Sequence, residues 1–143
     1  GEGLTDGWVP FHKLSQWLAY SLFEPIESAG LRIVERDALT GLPEYRNGGL
    51  LLDTGVLALR DAAAARIAHD VGSELVVEWR ALTVALMDPL VDLVRTRLDL
   101  DASFSMPKML QGGTWSAGRK IARELRPPDG PSPIPVAADG TVF

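Results

Sequence analysis

The sequence predicts an all-α fold of about six helices, and three stretches carry that prediction. Phe11, Leu14, Leu18, Leu22 and Ile26 recur at helical spacing, with Trp17 beside them. Ser73 is a good N-cap and Glu74 suits a first turn, and they open the longest periodic stretch of the chain. Thr114 precedes Trp115 to Leu125, which collects Arg119, Lys120, Arg123 and Arg126 toward its end, where the helix dipole favours cations.

The elements follow in order. Pro10 fits a first turn, where its missing N–H costs nothing. Gly30 stops the first helix, and Pro25 kinks it or ends it earlier. Leu31–Val34 reads as a short extended apolar piece leading to a loop over 37–49. A second helix is expected from about Leu50 to Leu59, and Asp61 caps an Ala-rich third that ends near His69. In the fourth, Val76, Trp79, Leu82, Thr83, Leu86, Leu90, Leu93 and Val94 mark an apolar face, and Pro89 bends or divides the helix. Phe104–Leu110 reads as a short helix or turn with Pro107 near its start. Gly112-Gly113 breaks the chain, and Thr114 caps the last helix, Trp115 to about Leu125. Residues 127–143 carry five of the ten prolines. They form an extended tail, anchored by Ile134, Val136 and Phe143, beside a helical domain over 1–126.

With 143 residues, the chain is long enough for one domain with a real core. Net charge is −5 with no basic block, which argues against duplex DNA or a membrane surface as partner. The absence of cysteine excludes disulfides, thiolate metal sites and cysteine nucleophiles. No apolar run reaches the roughly 18 residues of a membrane span and no signal peptide is visible, so a cytoplasmic protein is expected. The chain starts at Gly1 without methionine and enters the Trp8/Phe11/Trp17 pattern at once. We expect a preceding N-terminal segment of the same protein as a partner for its apolar surface.

Four clusters could hold chemistry. His12, Lys13 and Gln16 lie beside the aromatic stripe of the first helix; as a pattern alone this is a solvated face. Glu44-Tyr45-Arg46 packs a carboxylate, a ring and a guanidinium into three loop residues, which as a local pattern is either a solvated turn or a site. Asp53 follows in an otherwise apolar run, where pairing with an arginine is its commoner use. Glu78 and Arg80 read as a buried ion pair in the fourth helix. Trp115, among the small residues of Gly112–Gly118, offers either a stacking face for a base or sugar or a core anchor. His12 and His69 are far apart, so no metal site and no cofactor is predicted, and no Walker loop, GxGxxG or GxSxG pattern occurs.

These segments, in this order, resemble a known family. Asp6–Leu18, Gly41–Gly49, Gly72–Thr83 and Gly112–Ile121, with the ending Asp139–Phe143, are similar to the uracil-catabolism protein four family of fungi and bacteria, long catalogued as a domain of unknown function. Its members are much longer, and the chain resembles their C-terminal portion. The family is tied to a route in which uracil becomes a nucleotide, its ring is opened, and a ribosylurea-type intermediate must lose urea.

A more distant resemblance is to the queuosine-nucleotide salvage N-glycosidases. It rests on Phe11, Lys13 and Gln16; on Glu44, Tyr45 and Arg46; on Gly72, Ser73, Glu78 and Arg80; and on Trp115. That resemblance implies a helical DNA-glycosylase-like fold and hydrolysis of a nucleotide N-glycosidic bond. The aspartate of the family's Asp-Tyr-Arg stands here as Glu44, one methylene longer. The family's acidic residue before the last Trp helix is unmatched by Gly112-Gly113, so base recognition should differ.

Together these give an expectation of an N-ribosyl hydrolase for a small-molecule nucleoside or nucleotide. Glu44 would be catalytic. Lys13, His12, Tyr45, Arg46 and Trp115 would bind substrate, and Gln16, Asp53, Glu78 and Arg80 would support them. The rivals are a non-catalytic binding or scaffold subunit and a metal-dependent amidohydrolase, the latter weakened by the lack of ligand spacing.

Overall fold

The computed structural model describes Gly3 and residues 13–138. Within them the chain is all-α: α1 (Lys13–Ser21), α2 (Phe23–Ser28), α3 (Tyr45–Asp53), the long α4 (Glu74–Leu98), a single turn α5 (Met106–Lys108) and α6 (Trp115–Leu125). Arg36–Ala38 and Ala62–Arg66 form 3-10 turns, and Met109–Thr114 is a π-helical segment joining α5 to α6. Two short strands, β1 (His69–Asp70) and β2 (Val136–Ala137), pair in parallel with His69 opposite Val136.

The α1–α2 boundary follows from Pro25, which has no N–H to give the Ser21 carbonyl. Gly30 ends α2 at φ +83°, donating to the Glu27 carbonyl while Leu31 donates to Ile26, the paired bonds of a Schellman cap. The buried side chains of α1 are Gln16 and Tyr20, whereas Leu14, Leu18 and Leu22 lie exposed, which reverses the face the leucine spacing predicts. Both buried residues are tied down at their polar ends: Gln16 Nε2 and the Tyr20 hydroxyl donate to the Thr40 carbonyl at 2.7 and 2.6 Å. Burial pushes the Tyr20 phenol up to about 12, so it stays a donor at neutral pH.

The second helix corrects the expected Leu50–Leu59 span. α3 begins at Tyr45, because Glu44 caps it, and ends at Asp53, with Gly55 just beyond at φ +77°. Its glycine pair marks close packing. A Cβ on Gly48 would stand 2.6 Å from Thr83 Oγ1 and 2.7 Å from Trp79 Nε1, so α3 rides directly on α4. On another side the Arg46 carbonyl oxygen lies 2.2 Å from where a Cβ of Gly118 would be, so α6 meets α3 backbone to side-chain-free backbone.

The Ala-rich stretch forms only the 3-10 turn Ala62–Arg66, capped by Asp61, whose Oδ1 accepts from Ala63 at 2.8 Å. Alanine propensity does not extend it, since Ala62 and Ala63 bury nothing and a short helix without packing is marginal. α4 runs unbroken across Pro89, and its most buried positions are Val76, Val77, Trp79, Arg80, Thr83, Met87 and Val91. Leu82 and Leu93, expected on that face, are exposed. Gly112-Gly113 likewise does not interrupt the chain: both lie inside the π segment, and Thr114 is helical rather than a cap.

One core gathers Tyr20, Leu42, Leu51, Met87, Val91, Met106, Met109 and Leu110; a second gathers Val76, Trp79 and Ile134. Asp53 and Arg126 join α3 to the end of α6 through two bonds of 2.8 and 2.6 Å. Asp53 is nearly buried while a quarter of Arg126 reaches solvent. Arg126→Ala should therefore cost about 2–3 kcal/mol, below the full penalty for stranding a buried charge, measured as a shift in the denaturant midpoint.

Candidate functional site

Three elements fix the residues around Glu44. The loop before it is held by α1 through Thr40 and by α4 through Asp88, whose Oδ1 accepts from the Gly41 amide at 2.9 Å. A Cβ on Gly41 would lie 2.4 Å from Met87 Cβ, so the loop can approach α4 only with glycine there. Glu44 then takes extended backbone angles as N-cap of α3. Its Oε2 accepts from the Arg46 and Asn47 amides at 2.8 and 3.3 Å, and its Oε1 faces Arg46 Nη1 at 3.3 Å. The residue is 7% exposed.

The carboxylate edges a cavity of about 160 Å³, shared by Lys13, Trp17, Glu44, Arg46, Asn47 and Trp115 and floored by Leu42 and Leu110. Trp17 and Trp115 stand 6.4 Å apart with tilted rings. The Arg46 guanidinium lies over Tyr45 at 4.5 Å and over Trp115 at 5.3 Å, and Arg119 lies over the same Trp115 at 4.8 Å. The π segment brings Leu110 and Trp115 to the cavity; its widened turn is the kind of distortion found at binding sites. Thr114 Oγ1 donates to Asn47 Oδ1 at 2.9 Å and fixes the two walls together.

Burial raises the Glu44 carboxyl above its ordinary value; the Arg46 and Asn47 amides, the Arg46 guanidinium and the Lys13 ammonium pull the other way without cancelling it. The group is thus a buried carboxyl in a cationic, aromatic setting. It can stabilise an adjacent positive charge or orient a water.

Of the residues singled out from sequence, Lys13, Glu44, Arg46 and Trp115 meet at this cavity. His12 lies outside the described residues. Tyr45 sits behind Arg46, touching its guanidinium rather than the cavity. Gln16 supports the loop from beneath. Asp53 is taken by Arg126, away from Glu44. The expected Glu78–Arg80 pair does not form: residues two apart on a helix diverge, Glu78 meets Arg60 at 3.5 Å, and Arg80 points into the interior, where burial lowers its pKa. Sequence reading missed Asn47 and Trp17, although both lie inside segments it quoted. Among the described residues no group of three or more His, Cys, Asp or Glu could hold a metal ion, and no helix is long and apolar enough to cross a membrane.

Comparison with known proteins finds the family described as "Protein of unknown function (DUF1688)", matching residues 2–143. The chain is 46% identical over 154 residues to "Protein urg3" of Schizosaccharomyces pombe, covering 100% of this chain and 39% of that protein. It is 43% identical over 159 residues to "Uracil catabolism protein 4" of Lachancea kluyveri, covering 99% of this chain and 36% of that protein. The chain thus spans less than two-fifths of the length of these relatives. No solved structure gives a significant match.

Proposed function

Since the chain belongs to the DUF1688 family, we propose that it forms part of a uracil-degradation protein and hydrolyses the N-ribosyl bond of a ribosylurea-type or related nucleotide intermediate. The pathway comes from the printed name of the Lachancea kluyveri relative. The observation that carries the chemistry is Glu44, a buried carboxylate on an aromatic cavity beside Arg46 and Lys13.

Breaking a bond between a ribose C1′ and nitrogen builds positive charge on the ring carbon and oxygen. A carboxylate in a water-poor site stabilises that charge far more than one in bulk water. Water then adds to C1′, the bond to nitrogen breaks, and a proton from that water ends on the departing urea. Glu44 stabilises the cation and orients the water. Arg46 and Lys13 keep Glu44 ionised against its burial, and Trp17 and Trp115 exclude solvent.

One observation favours a second reading. Glu44 already serves as the N-cap of α3, so its carboxylate has a structural reason to be there. A binding or scaffold subunit that holds the intermediate without turning it over would use the same cavity. Urea released from ribosylurea and its 5′-phosphate by the intact protein separates the two readings. The hydrolase reading expects release that falls by about 100-fold or more in Glu44→Gln. Saturable binding with no release supports the carrier.

A further inference from the structure

A second cavity of about 210 Å³ adjoins the first, and Arg46 lines both. Its lining is more polar. Where the Glu44 cavity is walled by tryptophans and leucines, this one is ringed by Arg46, Arg119 and Arg123, with the side-chain-free Gly118 between them. Two carboxylates also reach it. Asp53 is occupied by Arg126, and Asp129 is exposed. Among the described residues neither Arg119 nor Arg123 is in an ion pair, although the neighbouring Lys120 has Glu124 at 4.0 Å. Arg46 and Arg119 both stand on the Trp115 ring, at 5.3 and 4.8 Å from its centroid, so the indole fixes both guanidiniums.

Planar guanidiniums fixed on an aromatic surface beside open space are a receptor for a phosphate, which they bind through paired N–H donors. We infer that this cavity is a phosphate subsite and that the substrate is the 5′-phosphate of the N-riboside rather than the free riboside. The inference rests on the hydrolase reading for the reacting end of the ligand. In such a molecule the anion sits across the ribose from C1′. A carboxylate-bearing cavity and a guanidinium-lined cavity that share one wall offer that same separation of chemistry. Arg46 would touch both ends, contacting the phosphate while holding Glu44 ionised.

The test is isothermal titration of the intact protein with ribose 5-phosphate, ribose and inorganic phosphate, in wild type, Arg119→Gln and Arg119→Glu. Arg119 is exposed, so both variants should keep the wild-type melting temperature. Ribose 5-phosphate is expected to bind at least about tenfold more tightly than either ribose or inorganic phosphate. Arg119→Glu should remove at least about tenfold of that affinity, the weight of one charge-assisted hydrogen bond. Three results would each overturn the subsite: no detectable binding of ribose 5-phosphate, equal affinity for ribose, or affinity that Arg119→Glu leaves alone. Inorganic phosphate binding as tightly as the sugar phosphate would overturn the 5′-phosphate of the N-riboside as its ligand. The titration does not read urea. A protein that shows the Arg119-dependent preference yet releases no urea keeps the subsite and loses the hydrolase. One that releases urea equally fast from ribosylurea and its 5′-phosphate loses the subsite and keeps the hydrolase.

Discussion

Gly118→Ala is expected to destabilise the protein by about 3 kcal/mol, at the upper end of what a single added methyl group does in a packed interior. The new Cβ would lie 2.2 Å from the Arg46 carbonyl oxygen and 3.0 Å from its carbon. Neither atom belongs to a flexible side chain. Both are backbone in the first turn of α3, which is pinned by the Glu44 cap, by Gly48 against Trp79 and Thr83, and by Gly49 against Pro133. Relief therefore requires α6 to move as a body, and α6 carries Trp115 and Arg119. Gly112→Ala is the matched control. A Cβ there meets nothing within 4 Å, and alanine is the better helix former, so it should be neutral or slightly stabilising. Urea melts of the two variants check both statements. Equal midpoints would mean that α3 and α6 are not packed as described.

The same contact explains what could be read from the sequence. Glu44-Tyr45-Arg46 stood out from its composition alone, and Lys13 and Trp115, flagged independently, do meet Glu44 at one cavity. The setting of the motif was misread because glycine has two meanings. Gly112-Gly113 reads as a break, the usual local sense of glycine, while Gly48-Gly49 closes the expected 37–49 loop. In the structure Gly48 lets α3 pack closely on α4, Gly49 lets it meet Pro133, and Gly112 and Gly113 sit within a widened turn. No local rule distinguishes these cases, because the atom that would clash lies in another element.

Phase was the other loss. The leucines of α1 gave the right period but not the buried face. On α4, by contrast, Val76, Trp79 and Thr83 are buried as expected, Leu86, Leu90 and Val94 pack against the core, and Leu82 and Leu93 are exposed. Gln16 and Arg80 are buried, and Leu18 and Leu93 are exposed. A polar residue can take an interior position when a partner awaits it, as the Thr40 carbonyl does for Gln16, and that partner is distant in sequence.

The other large expected effect is the near-complete loss of urea release in Glu44→Gln, and the pH profile decides whether the loss is chemical or structural. The carboxyl is raised by burial, and protonation would abolish the negative charge that stabilises the ribosyl cation. Activity, read as kcat/KM, should therefore fall as pH drops through a point above the ordinary carboxylate range, and the residual activity of Glu44→Gln should lack that limb. Arg46→Gln removes a charge that favours ionisation, so the limb should move to still higher pH. A residue that merely caps a helix would produce no such displacement. Stability runs with the opposite sign. Because the folded state holds the proton more tightly than the unfolded chain, ionised Glu44 costs stability. Lowering the pH from the raised folded value to the ordinary unfolded one relieves that cost, and raising it restores the cost. Glutamine can still accept the Arg46 and Asn47 amides and carries no charge to desolvate. Glu44→Gln should therefore melt within a few degrees of wild type at neutral pH, with the balance shifting toward wild type as the solution is acidified. If Glu44→Gln lost both activity and folded structure at neutral pH, Glu44 would be a cap and nothing more. If activity vanished while the melt stayed in place and the acid limb followed Arg46, the carboxylate would be the group that the reaction uses.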